Sequence, residues 1–419
     1  MEVNKVLNFI KDVLDNMPNS WLSLTTHRLD IYNEKNAKIE FLEKFEVLFK
    51  GNNSKASALD QLPTAYDYIR LGHPLSCILE WGIGRLNNLK KENVICFSSQ
   101  TIPILSILRK NLLDNKKTQI IHTGELPLFY NTEVLRSIYG YEFELKKVEK
   151  ISDIPEFNGS TIFVSQQDKI GINNLTQNID FFISSHPHLG SFLLVNGTQN
   201  ESYISSIQHV RRRETIAMTP ANCHISLMLL INQSSFNNQK KNTVANKKIV
   251  LNTIKKITGT ITKPLVGSSG LSIQYAIMMG LVHEAIEKHK GKNIKIIVPP
   301  NCYGGTNDQA RRVAACIDNV EVVDLPVDGN NDMVGSIEVV LAKIANQDGI
   351  PLIIAEIPTN PRVEVPNLIK LKEVLSKKRI TINGEKAVDP IFILDQTFCP
   401  NLPFLGKGEI LSTIKAISY

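Results

Sequence analysis

Four segments in the C-terminal part of this 419-residue chain carry side chains that could do chemistry, and each sits beside an apolar run. Gly267-Ser268-Ser269-Gly270 opens an apolar-periodic helix, whose first backbone amides and positive dipole end suit a phosphate. Asn301-Cys302-Tyr303-Gly304-Gly305-Thr306 follows NIKIIVPP and puts an aromatic ring on a glycine-flexed loop. Thr359-Asn360-Pro361 follows PLIIAEIP, and Asp395-Gln396-Thr397-Phe398 follows PIFIL. An aspartate at the end of a buried strand is costly unless it meets a cation or several donors, and a protonated ring nitrogen is such a cation. Each piece alone is unremarkable, since Ser-Ser-Gly before a helix is also a common N-cap.

The elements that must position these residues are legible in the same stretch. NIKIIVPP, VEVVDLPV, PLIIAEIP, PIFILDQ and TIKAISY alternate with helical segments such as SIEVVLAKIA and NLIKLKEVLSKK. Short apolar strands alternating with helices predict a mainly parallel sheet covered on both faces. Ligands of such sheets bind outside the carboxyl ends of the strands, where the four segments fall. A phosphate turn, a stacking ring, an Asn for a phenolic oxygen and an Asp for a ring nitrogen would together cradle pyridoxal phosphate.

The spacing divides the chain into three regions. Residues 1–60 are a helical N-terminal region, with one apolar face at Val6, Phe9, Ile10, Val13 and Leu14 and a second helix over Ile39 to Phe49. Residues 61–260 are a mixed α/β segment with strands at ENVICFSS, STIFVSQ and GSFLLVNG, and a polar linker from Asn232 to Lys248. Residues 261–419 are the cofactor-binding core.

The motifs SSGLSIQ, YGGT, EIPTNPRVEVPNL and LDQTF, over about 265–400, resemble the Cys/Met-metabolism family of pyridoxal-phosphate enzymes, the cystathionine γ-synthase and γ-lyase relatives. The resemblance implies the large domain of an aspartate-aminotransferase-like (fold type I) α/β transferase. It implies that Ser269, Gly270 and Leu271 form the phosphate turn, and that Tyr303 stacks on the cofactor ring. Asn360 would bond the phenolic oxygen, Asp395 the pyridine nitrogen, and Thr397 would support Asp395 or the cofactor. Leu271 stands where the family has Met, and Gln396 where it has Asn. Tyr68-Ile69-Arg70 resembles the family element in which Tyr68 and Arg70 would reach the phosphate of a neighbouring subunit, implying a dimer or tetramer. That element lies far upstream of SSGL, so 100–260 reads as an insertion or a degenerate repeat. Cys96-Phe97-Ser98-Ser99 stands where the phosphate turn is expected, without its glycine.

The implied activity is γ-replacement on an activated homoserine, with cystathionine lysis or homoserine sulfhydrylation as neighbouring reactions. Such an enzyme needs a lysine to bond the cofactor and move protons. Lys415, in Ser412-Thr413-Ile414-Lys415, is a partial match to the family's lysine loop, but AISY reads as the strand before that loop. The expectation is therefore a fragment whose lysine lies beyond Tyr419, inactive alone and binding its cofactor weakly. A non-catalytic scaffold that keeps the fold is the reading from another class.

Composition narrows the rest. With 42% hydrophobic, 21% charged and 7% aromatic residues the chain is of ordinary globular make-up, and a net charge of +6 without a basic stripe or module speaks against nucleic acid. Arg211-Arg212-Arg213, the densest basic cluster, reads as a solvated turn or helix face. No stretch reads as a signal peptide or a membrane span, and six scattered cysteines without a CxxC pair read as reduced thiols, which predicts a cytoplasmic protein. His186-Pro187-His188 reads as a turn rather than a metal site, Cys302 as a packed thiol, and Arg362 as a structural ion pair.

Overall fold

A computed structural model describes residues 2–23, 34–63, 65, 70–235, 243–328, 331–359, 362–402 and 414–418. The chain forms two compact units, Met1–Glu133 with Tyr141–Asn238, and Val134–Gly140 with Gln239–Tyr419. Both are α/β.

In the first unit, helices α1 (Glu2–Asn16), α2 (Glu34–Lys50), α3 (Ala56–Leu59) and α4 (Pro74–Leu86) precede the sheet. The predicted apolar face of α1 is buried, and Phe9 meets Phe45, Phe49 and Trp81 edge-on at centroid distances of 5.3–6.4 Å. The chain continues through β1 (Val94–Phe97), α5 (Ile102–Leu113), β2 (Thr118–Thr123), α6 (Thr132–Ser137), most of which belongs to the second unit, and β3 (Glu144–Lys147). It then runs through β4 (Ser160–Gln166), β5 (Phe181–His186), β6 (Gly190–Val195), α7 (Ile204–Glu214) and α8 (Pro220–Asn232). The sheet order is β1-β6-β5-β4-β2-β3, with β6 antiparallel to both neighbours and the other pairs parallel. Gly190 starts β6 at φ +131°, where any Cβ would run into the Phe97 carbonyl.

One expectation is corrected here. Arg211 is not solvated: it is fully buried, donating to Glu80 at 2.6 Å and to the Cys96 carbonyl at 3.0 Å. Glu80 also meets Lys38 at 2.6 Å and accepts from the Cys96 amide at 2.9 Å. Burial alone would raise the Glu80 carboxyl, but Lys38 and Arg211 bring it down to about 2. Three consecutive arginines on a helix point in three directions, so one faces the core while Arg212 and Arg213 stay half-buried.

The second unit contains α9 (Thr243–Thr258), α10 (Gly270–Lys288), β7 (Ile294–Val298), α11 (Gly304–Ala314) and β8 (Val320–Asp324). After these come α12 (Met333–Asn346), β9 (Ile350–Glu356), α13 (Leu368–Ser376), β10 (Ile391–Asp395) and β11 (Ile414–Ser418). The start of α9 falls inside the expected linker, because VANKKIV supplies helix formers where asparagine and lysine alone suggested a loop. The sheet, ordered β11-β10-β9-β7-β8, is parallel throughout. Ile297, Ile353, Phe392 and Leu394 pack with residues of α12 and α13, while Ile296, Val298, Ile354 and Ile393 pack with residues of α10 and α11. The sheet is thus covered on both faces, as the apolar strands predict.

Candidate functional site

The carboxyl ends of β7, β9 and β10 bring the predicted residues of the second unit together. Ser269 caps α10 in a reciprocal box: its Oγ accepts from the Ser272 amide at 3.1 Å, and Ser272 Oγ accepts from the Ser269 amide at 2.9 Å. Gly267 lies so close to this box that a Cβ would stand 2.8 Å from Ser272 Oγ. The cap places Gly270 and Leu271 in the first turn of α10, at its positive dipole end.

Tyr303 stands at the N-cap of α11, its carbonyl accepting from the Thr306 amide at 2.8 Å. The Tyr303 amide donates to Glu356 Oε1 at 3.1 Å. Glu356 is the buried last residue of β9 and lies in register with Asp395, the last residue of β10. Registered partners in a sheet point to the same face, so two carboxyl groups stand side by side at the strand ends. Thr306 and Gln309 tie α11 to α10 through Gln274 Oε1 at 3.4 Å and the Leu271 carbonyl at 2.9 Å. The aromatic loop and the capped turn are thereby held as one piece.

Asp395 is buried, and burial pushes its carboxyl above the usual aspartate range, opposed by its bonds to Thr397. Its Oδ1 accepts both the Thr397 amide, at 3.0 Å, and the Thr397 hydroxyl, at 2.6 Å. No partner for Oδ2 is found among the described residues. Gln396 points elsewhere and holds the following turn through the Cys399 and Leu402 carbonyls at 2.8 and 2.7 Å. Such a set suits a ligand with an anionic group at the helix start and a cationic ring nitrogen at Asp395.

The rim is charged. Arg362 pairs with Asp328 at 3.1 Å, and Cys302, Thr359, Arg362 and Glu364 line a cleft beside Glu356. The Cys302 thiol is pushed up to about 12, first by burial and then by Glu356. His186 is buried at the end of β5, and no cluster of metal-ligating residues occurs among the described residues.

Of the other expected site residues, Tyr68 and Asn360 lie outside the described residues, as does the side chain of Lys415 on β11. Arg70 belongs to the first unit, where it is buried and its carbonyl accepts the Ala217 amide at 2.8 Å. The sequence reading missed Glu356. Its one signal was position, a strand-final carboxylate equivalent to Asp395 in the next strand.

No family model and no curated protein matches this chain. Among solved structures, it is similar to cystathionine γ-lyase from yeast, at 13% identity over 60% of this chain and 67% of that one, with a TM-score of 0.34. It is similar to a putative O-acetylhomoserine (thiol)-lyase from Campylobacter jejuni determined with a pyridoxyl-lysine monophosphate, at 12% identity over 57% and 70%, TM-score 0.27. It also overlaps the cystathionine γ-lyase CalE6 from Micromonospora echinospora, at 18% identity, but covers only 28% of that chain, with a TM-score of 0.22. Overlaps this loose place no residue of one chain on another. No helix among the described residues is long and apolar enough to cross a membrane.

Proposed function

We propose that the second unit binds pyridoxal 5′-phosphate and belongs to a cytoplasmic, homo-oligomeric enzyme of sulfur amino-acid metabolism. The observation that carries this reading is Asp395: a buried carboxyl with one oxygen held by Thr397 and no partner for the other among the described residues, in the same unit as a capped helix start. When bound, the cofactor supplies an electron sink for negative charge developing on an amino-acid substrate. Asp395 keeps the ring nitrogen protonated, Thr397 fixes the carboxylate, and the amides of Gly270 and Leu271 receive the phosphate. Tyr303 stacks on the ring and Asn360 bonds its phenolic oxygen, while Tyr68 and Arg70 serve a neighbouring subunit's phosphate.

The reaction proposed is γ-replacement on an activated homoserine, of the cystathionine γ-synthase kind. Lysis of cystathionine and sulfhydrylation of homoserine esters use the same site chemistry. A scaffold without catalysis is the second reading, favoured by the ends of β4 and β5 in the first unit, which carry Gln166 and His186 in place of carboxylates. The test is a titration of the full chain with pyridoxal phosphate, followed by absorbance and by quenching of protein fluorescence. Saturable binding that Asp395→Asn weakens at least tenfold supports the proposal; no saturable binding refutes it. Borohydride reduction with peptide mapping then shows whether Lys415 bonds the cofactor.

A further inference from the structure

The chain runs twice through the same succession of four parallel strands. Residues 98–186 start from a Ser-Ser turn and continue through α5, β2, a tyrosine before α6, β3, β4 and β5. Residues 268–395 start from a Ser-Ser turn and continue through α10, β7, a tyrosine before α11, β8, α12, β9, α13 and β10, with α12 and α13 as additions that have no α-helical counterpart in the first series. The strands take the same places, β3-β2-β4-β5 and β8-β7-β9-β10, all parallel, with the crossing back between the second and third strand of each series. Ser99 Oγ accepts from the Ile102 amide at 3.1 Å, as Ser269 Oγ accepts from the Ser272 amide at 3.1 Å. Tyr130 precedes α6 as Tyr303 precedes α11.

The differences fall on the groups that would hold a ligand. Gln100 stands where the second series has Gly270, and Pro103 removes an amide from the first turn of α5. The Thr101 and Ile102 amides are both taken by Ser99 Oγ, at 3.3 and 3.1 Å. The third and fourth strands end in Gln166 and His186, where the second series has Glu356 and Asp395. Gln100 Oε1 accepts from Ser185 Oγ at 3.1 Å, and its amide nitrogen reaches the His186 carbonyl at 3.4 Å. Ser184 Oγ stands 2.8 Å from His186 Nε2 and 3.1 Å from Gln167 Oε1.

We infer that the first series is a second copy of the ligand-binding architecture whose strand-end site is sealed by its own side chains, so that each chain takes one phosphate-bearing ring at the second copy alone. The identity of that ring rests on the function proposed above; the sealing does not. The test uses the full chain with pyridoxal phosphate as probe, read by equilibrium dialysis and by hydrogen exchange with mass spectrometry. One equivalent per chain is expected, with slowed exchange in peptides covering 267–273 and 300–306 and no change at 98–104 or 184–191. Gly270→Gln, which carries the first copy's residue into the second, should lower affinity at least tenfold, whereas Gln100→Gly should leave it unchanged. Two equivalents, or slowed exchange at 98–104, overturns the inference. Without ligand, Ser99→Ala should speed exchange at 98–104 about tenfold by releasing two capped amides. Unchanged exchange in that variant overturns the sealing whatever the second copy binds. The expected speeding in a chain that takes no pyridoxal phosphate leaves the sealing standing and removes only the proposed ligand.

Discussion

The two units handle buried charge in opposite ways. In the first, Glu80 sits in the core with Lys38, Arg211 and a backbone amide around it, and Arg109 faces Glu214 with Nη2 at 2.9 Å from Oε2. In the second, Asp395 is buried with only one oxygen engaged among the described residues, and Glu356 beside it holds a backbone amide. A buried carboxylate with every partner in place holds a fold together, whereas one left half-engaged at a strand end is poised for something else.

The largest effect should come from breaking the fully paired cluster. Glu80→Ala leaves Lys38 and Arg211 buried without their counter-charge, and loss of one member of a buried pair costs about 3–5 kcal/mol. Denaturant unfolding followed by tryptophan fluorescence should show that loss in the first unit, which holds both Trp21 and Trp81. A change below about 1 kcal/mol would mean that water reaches the cluster and that the contrast between the units is false.

Acid should separate the units next. His73 and His186, in the first unit, are held down to about 4 by burial, against an ordinary 6.5. Each is neutral when folded and takes up a proton more readily when unfolded. Their contribution is full above about pH 6.5 and is lost as pH falls toward 4, amounting to about 3 kcal/mol for each imidazole. Asp395 carries the opposite sign: burial raises it, so its favourable contribution is present below the ordinary aspartate value and is lost as pH rises through its folded value. Hydrogen exchange at pH 4, 5 and 7 should show the first unit loosening in acid. Equal loosening of both units would remove the distinction.

Legibility in the sequence followed locality. Asp395 after an apolar run and Ser269 before an amphipathic helix announce themselves within a few residues, and the alternation of strands and helices after 261 announces the parallel sheet. Glu356 does not, because its partner, the Tyr303 amide, is 53 positions away and the residue sits inside an apolar run. Arg211 reads as solvated for the same reason, since Glu80 is 131 positions upstream and only the folded core brings them together.

The smallest expected effect tests whether Glu356 acts on the aromatic loop through its charge or through its hydrogen bond. Glu356→Gln keeps an oxygen for the Tyr303 amide, so the cost in stability should stay below about 1 kcal/mol. The substitution removes one of the carboxylates that, after burial, push the Cys302 thiol up to about 12. The thiol should therefore shift downward and react faster with iodoacetamide, read on the Cys302 peptide across a pH series. Glu356→Ala removes charge and acceptor together, so it should show the same downward shift plus a larger loss of stability, as the Tyr303 amide is left without its acceptor. If both variants label Cys302 as slowly as the parent chain, burial alone sets that thiol. Glu356 would then exert no field on the loop that Tyr303 occupies.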